Sequence, residues 1–375
     1  MSVTSQPSSP VTGPDDTPDP APATSRGPDR DPGRLAHPLV RYVARRLGVS
    51  VLLVLGVTLV TFVLTNLVPG DTVAANLGQQ SAEDPAIVAA YRAHYGLDRP
   101  LPEQYLTYLG NLAHGDLGES QQTHRAVVAD LSAAVPATLE IAIGAMVLSI
   151  LIGVALGVVA AVRRGHLADS ALRLVSLVGI SVPTFWLAMV SFYVLSYQLD
   201  LAPGSGRLSP ATTAPPDVTG LYTVDSLLAG QWETFGDAVA HLMLPTLVLT
   251  LYTVGLLTRF TRSAVLEVLE QDFVRSARAK GLPRRTVLLR YVLRAALVPI
   301  LTVVGLAFGA LLSGTVLVEQ IFSWPGMGSY AYQSASHLDL PGVMGVGLVV
   351  GVIYVVINLV VDLLYGVIDP RVRVA

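Results

Sequence analysis

Six charge-free apolar runs alternate with polar segments along the chain, at 47–68, 141–162, 174–199, 238–258, 295–318 and 340–361. None contains Asp, Glu, Lys or Arg. A helix needs about 20 such residues to cross the hydrocarbon core of a bilayer. In hydrocarbon a spanning segment must satisfy its own backbone, and a continuous apolar run does so only as a helix. The pattern therefore predicts an all-α polytopic membrane protein with six transmembrane helices. The fourth run carries the weakest signal, because it includes His241 and Pro245. Pro183 likewise falls inside the third, and either proline could kink its span. Small residues recur four apart at Gly153/Gly157, Gly305/Gly309 and Gly347/Gly351, a spacing that lets helices approach closely in lipid. Composition agrees: 52% of the 375 residues are apolar, 14% are charged, and the mean hydropathy is +0.56.

The charges between the runs are lopsided. With the N-terminus in the cytoplasm and six spans threaded, cytoplasmic segments hold 20 of the 24 Lys and Arg, and only Arg92, Arg99, Arg125 and Arg207 fall outside. The positive-inside rule then places both termini in the cytoplasm of a bacterial plasma membrane. The overall charge of −3 adds little to this. Residues 1–38 hold nine prolines among Ser, Thr, Asp and Gly and read as a disordered cytoplasmic tail. The first span, 39–68 with its flank, is too long for a typical cleaved signal peptide and reads as a retained anchor. Residues 69–135 form an extracytoplasmic helical insertion. Residues 136–375 form a core with the other five spans and the cytoplasmic loop 259–294. The chain has no cysteine and hence no disulfide or thiol chemistry.

The insertion predicts a helix over 85–94, a turn at 96–100, and a second amphipathic helix with Tyr105, Tyr108, Leu109 and Leu112 at helical spacing. Gly115-Asp-Leu-Gly118 punctuates it. The second outer segment, 200–237, reads mostly as loop. The third, 319–339, predicts a tight turn at Trp324-Pro-Gly-Met-Gly328 and a surface helix over 330–337.

An enzymatic reading lacks parts. The single lysine, Lys280, precedes Gly281, so no G-x-x-x-x-G-K-[ST] phosphate loop exists. No H-E-x-x-H motif occurs, and His114 and His124 lack a third ligand for a metal. Membrane serines such as Ser149, Ser181 and Ser313 have no His or Asp partner in the spans. An ion-coupled carrier is the alternative class, but such carriers place ionisable groups near mid-membrane. Here Glu140, Glu319 and Asp362 stand at span ends, with Asn358 four residues before Asp362 on one helical face.

Nine of the Lys and Arg lie in 259–294. Its centre reads Asp272-Phe-Val-Arg-Ser-Ala-Arg-Ala-Lys-Gly281-Leu-Pro283, which predicts a short helix over 273–280. Asp272 is the expected N-cap, Gly281 the left-handed residue after the last turn, and Pro283 the stop. Arg275, Arg278 and Lys280 crowd the end that the helix dipole makes negative. Two readings stand at this point: a handle for another protein, or a basic interfacial loop. Residues 284–294, with Val287, Leu288 and Tyr291 on one side, read as an interfacial lead into span five.

The same segment, with Pro299 18 residues after Gly281, resembles the ATPase-coupling loop of ABC-importer permeases. More narrowly it resembles the B-type permease of dipeptide and oligopeptide importers. Also similar are Tyr95-Gly-Leu-Asp98 with Gln104-Tyr105, Gly115-Asp-Leu-Gly118, Val318-Glu-Gln-Ile-Phe-Ser-Trp-Pro-Gly-Met-Gly328, and Asn358, Asp362 and Asp369-Pro-Arg-Val-Arg373. Where the general permease loop has Glu-Ala-Ala, this chain has Arg275, Ser276 and Ala277, so no role for that glutamate carries over. The resemblance implies a type I ABC-importer permease fold. It implies a second, homologous permease as heterodimer partner, two cytosolic ATP-binding subunits that bind the ATP, an extracytoplasmic substrate-binding lipoprotein, and no nucleic acid. It assigns ATPase coupling to Asp272, Phe273, Arg275, Ala277, Arg278 and Gly281. Peptide is the implied cargo, with nickel chelates, glutathione-like molecules and oligosaccharides carried by related permeases. No cofactor of its own, no catalytic residue and no substrate-binding residue is implied for this chain.

Overall fold

The computed structural model describes residues 38–67, 83–94 and 96–368. The proline-rich tail, Tyr95 and the Asp369–Arg373 motif lie outside the described residues, as does the first part of the insertion. The described chain is helical, with one isolated bridge between Glu119 and Ala126. In chain order the helices are α1 (Pro38–Leu67), α2 (Pro85–His94), α3 (Leu101–Ala113), α4 (Val127–Val162), α5 (Leu167–Ser181), α6 (Thr184–Gln198), α7 (Tyr222–Leu228), α8 (Trp232–Leu269), α9 (Asp272–Ala279), α10 (Arg284–Ile321), α11 (Met327–Ser336) and α12 (Leu340–Ile368). Five of these helices (α1, α4, α8, α10 and α12) are long and apolar enough to cross a membrane, and α5 with α6 makes a sixth candidate.

That sixth candidate differs from the expected span. α5 and α6 meet at 92°, where the sequence suggested at most a kink. Pro183 has no N–H to continue the ladder and disfavours helical geometry at the residue before it. Val182 is accordingly extended (φ −79°, ψ 124°) and α6 starts afresh. Pro245, by contrast, sits inside an unbroken 38-residue helix. α4 likewise runs unbroken through Pro136, so the junction expected at 135/136 is no element boundary.

The small-residue pairs are seams. A Cβ on Gly153 would lie 2.8 Å from Leu257, and one on Gly157 would lie 2.6 Å from Thr261, so α4 and α8 run side by side in parallel. Gly305 and Gly309 meet Val361 and Tyr354, which sets α10 antiparallel to α12. Gly347 and Gly351 meet Thr61 and Val57, which sets α12 antiparallel to α1. Gly255 lies against Ser176 and Ile180 of α5. These registers put the end of α4, the start of α5, the end of α8, all of α9 and the start of α10 at one end of the bundle. Thr250 and Thr253 of α8 donate to the carbonyls of Thr246 and Leu249, one turn back.

At the opposite end, buried carboxylates fasten the connecting segments. Glu140 receives Arg207 Nη2 at 2.7 Å and both the N–H and hydroxyl of Thr223 at 2.7 Å. The Arg207 guanidinium also stacks 3.5 Å from the Tyr222 ring centroid. Glu319, fully buried, accepts from Thr138 Oγ1 (2.6 Å) and the Ser329 N–H (2.8 Å). Asp339 accepts from Ser120 Oγ (2.6 Å) and the Gln121 N–H. Burial works against ionising Asp225, but N–H groups of Val218, Thr219 and Gly220 and the Thr219 hydroxyl hold its carboxyl below the ordinary range. The segment 200–237 is thus tied down, not free loop. Trp324 is buried and donates to the Ala137 carbonyl. α11 starts three residues before the expected surface helix: its first turn (Met327, Gly328) and Ser334 are buried, while Tyr332, Gln333, Ala335 and Ser336 are exposed.

Helices α2 and α3 match the two helices expected in the insertion. Tyr105, Tyr108, Leu109 and Leu112 share the less exposed face of α3, and Tyr105 Oη reaches Thr58 Oγ1 of α1 at 3.1 Å. Among the described residues no three metal-ligating side chains come together.

Gly157→Ala should lower the stability of the purified protein by about 1–3 kcal/mol, the usual cost of overpacking a tight contact. Gly314→Ala, where a Cβ meets nothing within 4 Å, should change it by less than about 0.5 kcal/mol. Unfolding midpoints in mild detergent compare the two.

Candidate functional site

The basic segment folds as a short helix braced against its own chain. α8 ends at Leu269 and α9 begins at Asp272. Val274 and Ala277, three apart and so on one face, are buried in α9. They join Val265, Val268, Val287, Val292 and Ala161 in an apolar cluster that unites the ends of α4 and α8 with the start of α10. The opposite face carries Phe273, Arg275, Ser276, Arg278 and Lys280, all exposed.

The end of α9 is closed by two hydrogen bonds. The Gly281 N–H donates to the Arg278 carbonyl at 2.9 Å, and the Leu282 N–H reaches back to the Ala277 carbonyl at 3.4 Å. Gly281 has φ +76°, the left-handed geometry that this termination needs and that glycine adopts without a Cβ clash. Leu282 packs into the same cluster as Ala277. Pro283 follows, and the chain turns directly into α10. Residues 284–294 are continuous with that long helix, with a wider turn over Val287–Val292.

The other end differs from expectation. Asp272 is not the N-cap but the first residue of the helix. Gln271 occupies the cap, without a side-chain hydrogen bond. Asp272 points to solvent and lies 3.3 Å from Arg275, three residues on. The backbone decides the register: the Gln271 carbonyl already accepts from the N–H groups of Val274 and Arg275. The Asp272 carboxylate still lies in the first turn, where the dipole favours it. Such an exposed pair is worth little, about 0–1 kcal/mol.

Of the residues assigned by resemblance, Asp272, Phe273, Arg275, Arg278 and Gly281 therefore share an exposed surface. Ala277 faces inward and holds the helix down.

Sequence reasoning missed the brace beside this helix. Asp169, at the start of α5, takes Arg262 of α8 in a two-pronged pair (Nε–Oδ1 2.7 Å, Nη2–Oδ2 3.0 Å) and accepts the Gly165 N–H at 3.1 Å. Arg164 meets Glu270 at 2.7 Å on the surface. The 163–166 turn, α5 and the end of α8 are thereby linked to the base of α9. No local motif announces these pairs, since their partners are 93 and 106 residues apart.

Two family descriptions match the chain. Residues 39–142 match the N-terminal part of the binding-protein-dependent transport system membrane component. Residues 153–374 match the binding-protein-dependent transport system inner membrane component. The chain is 46% identical over 322 residues to the probable D,D-dipeptide transport system permease protein of Escherichia coli strain K12, covering 86% of this chain and 94% of that one. It is 44% identical over 335 residues to the di/tripeptide transport system permease protein of Pseudomonas aeruginosa strain UCBPP-PA14, covering 89% and 99%. Among solved structures, a chain of the MetNI methionine ABC transporter in an inward-facing conformation is 14% identical, with a TM-score of 0.45 over 62% of this chain and 93% of that one.

Gly281→Ala finds open space, since a Cβ there meets nothing within 4 Å, but must hold a left-handed backbone. It should loosen the end of α9 by about 1–2 kcal/mol. Hydrogen exchange at Gly281 and Leu282 should then quicken about tenfold, with the centre of α8 unchanged.

Proposed function

The chain belongs to the family of binding-protein-dependent transport system inner membrane components, and from that membership we propose that it is one of two paired permease subunits in an ATP-driven peptide importer. It is a multi-pass membrane protein with several apolar helices. In the proposed arrangement both termini and α9 lie in the cytoplasm, six spans cross the membrane with α5–α6 as the broken third, and residues 69–135 lie outside. The 20-to-4 distribution of Lys and Arg supports this orientation.

The observation that carries the coupling role is the two-sidedness of α9. Its inner face is packed onto the ends of three long helices, and its outer face exposes an aromatic ring and three cations, of which Arg275 pairs only with Asp272 of the same helix. A cytosolic ATPase that receives Phe273, Arg275, Arg278 and the Gly281 turn in a surface groove would push on α8 and α10 together. Val274 and Ala277 transmit the push because they are buried, and the closed C-terminal turn keeps it from being lost in fraying. Moving the paired permeases from 1:99 to 99:1 between two states takes about 5.5 kcal/mol of differential binding. ATP closure of the partner subunits would supply it, since this chain has no phosphate loop of its own. The extracytoplasmic lipoprotein would deliver peptide to the end where Glu140, Glu319 and Asp339 hold the connecting segments.

An ion-coupled carrier is the weaker reading. Glu140 and Glu319 are each engaged by hydrogen bonds that fasten outer segments, which accounts for them without proton relay.

Mild-detergent purification of this chain from its native membrane should bring down an ATP-binding protein and a second six-span permease. Recovery of the chain alone, transporting in vesicles without ATP, would overturn the proposal, and a non-peptide ligand on the co-purified binding protein would overturn the cargo. Arg278→Glu leaves every buried contact in place. It should still insert and fold, but lose at least about 1 kcal/mol of ATPase capture, about fivefold, by reversing a charge at the docking face. Unchanged co-purification and uptake would remove Arg278 from that face.

A further inference from the structure

A cavity of about 400 Å³ lies between α5 and α8, close to the base of α9 but not part of its exposed face. Its wall from α5 comprises Leu172, Arg173, Ser176, Leu177 and Ile180, and its wall from α8 comprises Thr258, Arg259, Arg262 and Ser263. Each set repeats at one and four residues, so each is one continuous helical face.

The position of the charges along the spans matters most. Arg173 immediately precedes the charge-free run 174–199, and Arg259 immediately follows the charge-free run 238–258. The arginines therefore stand where hydrocarbon gives way to headgroups. Arg262 is neutralised by Asp169, and Arg173 lies 3.6 Å from that same carboxylate. Arg259 has no ion-pair or hydrogen-bond partner among the described residues. Two guanidiniums thus share one carboxylate, and the third stands beside them without one. Thr258 adds a buried hydroxyl without a partner among the described residues. The α5 surface next to the cavity is apolar and exposed, with Leu174 and Val175 more than 60% accessible.

We propose that this cavity binds the headgroup of an anionic phospholipid, with the phosphate at Arg173, Arg259 and the Thr258 hydroxyl and an acyl chain along the exposed face of α5. A basic pocket between membrane helices at the headgroup level fits such a ligand in both charge and depth. The apolar continuation distinguishes a lipid from a free phosphate, which would gain nothing from Leu177 and Ile180. The inference needs the chain to span a membrane. It does not depend on the coupling role of α9.

The test uses the assembled transporter, exchanged into phosphatidylcholine nanodiscs, titrated with phosphatidylglycerol and examined by native mass spectrometry. One phosphatidylglycerol per copy of this chain should be retained. Arg173→Gln with Arg259→Gln should weaken retention about 30-fold, the usual weight of two basic residues at an anionic surface. Equal retention of phosphatidylcholine, or equal retention by the double variant, would overturn the proposal. Displacement by millimolar inorganic phosphate would assign the site to a free anion. Failure of the whole complex to retain any lipid would assign the cavity to a subunit contact instead. Should the double variant not assemble, the wild-type complex decides: its unfolding midpoint should rise with phosphatidylglycerol and not with phosphatidylcholine, and a rise with both or neither would sink the idea.

Discussion

Lipid tails compete equally well for the apolar faces of helices, so hydrophobicity by itself cannot assemble this bundle. What remains is close packing, and the seam between α4 and α8 supplies it. Gly153 and Gly157 remove the side chains that would hold the two helices apart, and Leu257 and Thr261 occupy the space. Thr250 and Thr253 return their hydroxyl protons to their own helix, whereas Thr258 and Thr261 at the seam keep buried hydroxyls with no partner among the described residues, so the close approach is made at a polar cost. Every other helix at the α9 end is referred to this pair. α5 is fastened to α8 by Asp169 and Arg262, and α9 and the start of α10 pack onto the combined ends of α4 and α8.

α9 and the opposite end of the bundle are held by different physics. At one end, carboxylates buried below a tenth of their exposure accept several hydrogen bonds each, so connecting segments are pinned by groups that are costly to leave unpaired. Removing one partner of the Arg207–Glu140 pair would strand a buried charge, which costs about 3–5 kcal/mol. At the other end, α9 is held by two apolar side chains and a closed C-terminal turn, and its charges stay in water. The fixed side of α9 is dry and its exposed side is solvated.

α9 also shows how a short helix can be held rigid. Eight residues would fray in isolation. Here the Gly281 turn closes one end, Val274 and Ala277 anchor the middle, and one residue separates α9 from the C-cap of α8. Displacing it therefore displaces α8 and the root of α10. The lipid cavity lies at the same end of the bundle, where Arg173 meets both the cavity and the Asp169 brace.

Much of this was legible along the chain. The six apolar runs, the two helices of the insertion and the glycine termination of α9 follow from local rules: a residue either can or cannot adopt a backbone angle, and a run either is or is not long enough to span. The family resemblance rested on the same local strings. Other features needed the folded chain. The right angle at Pro183, the start of α9 at Asp272 with Gln271 as its cap, and the inward face of Ala277 depend on what neighbouring helices leave room for. The pairs Glu140–Arg207, Thr138–Glu319, Ser120–Asp339 and Asp169–Arg262 join residues 67 to 219 positions apart, so no short window contains both members. By itself the sequence determined the long helices, the shorter ones except α7, and which segments could cross a membrane, because those depend on backbone hydrogen bonding and solvation within each segment. Only the tertiary structure decided which polar groups are paired and which face of α9 is free, because those depend on packing between segments distant in the chain.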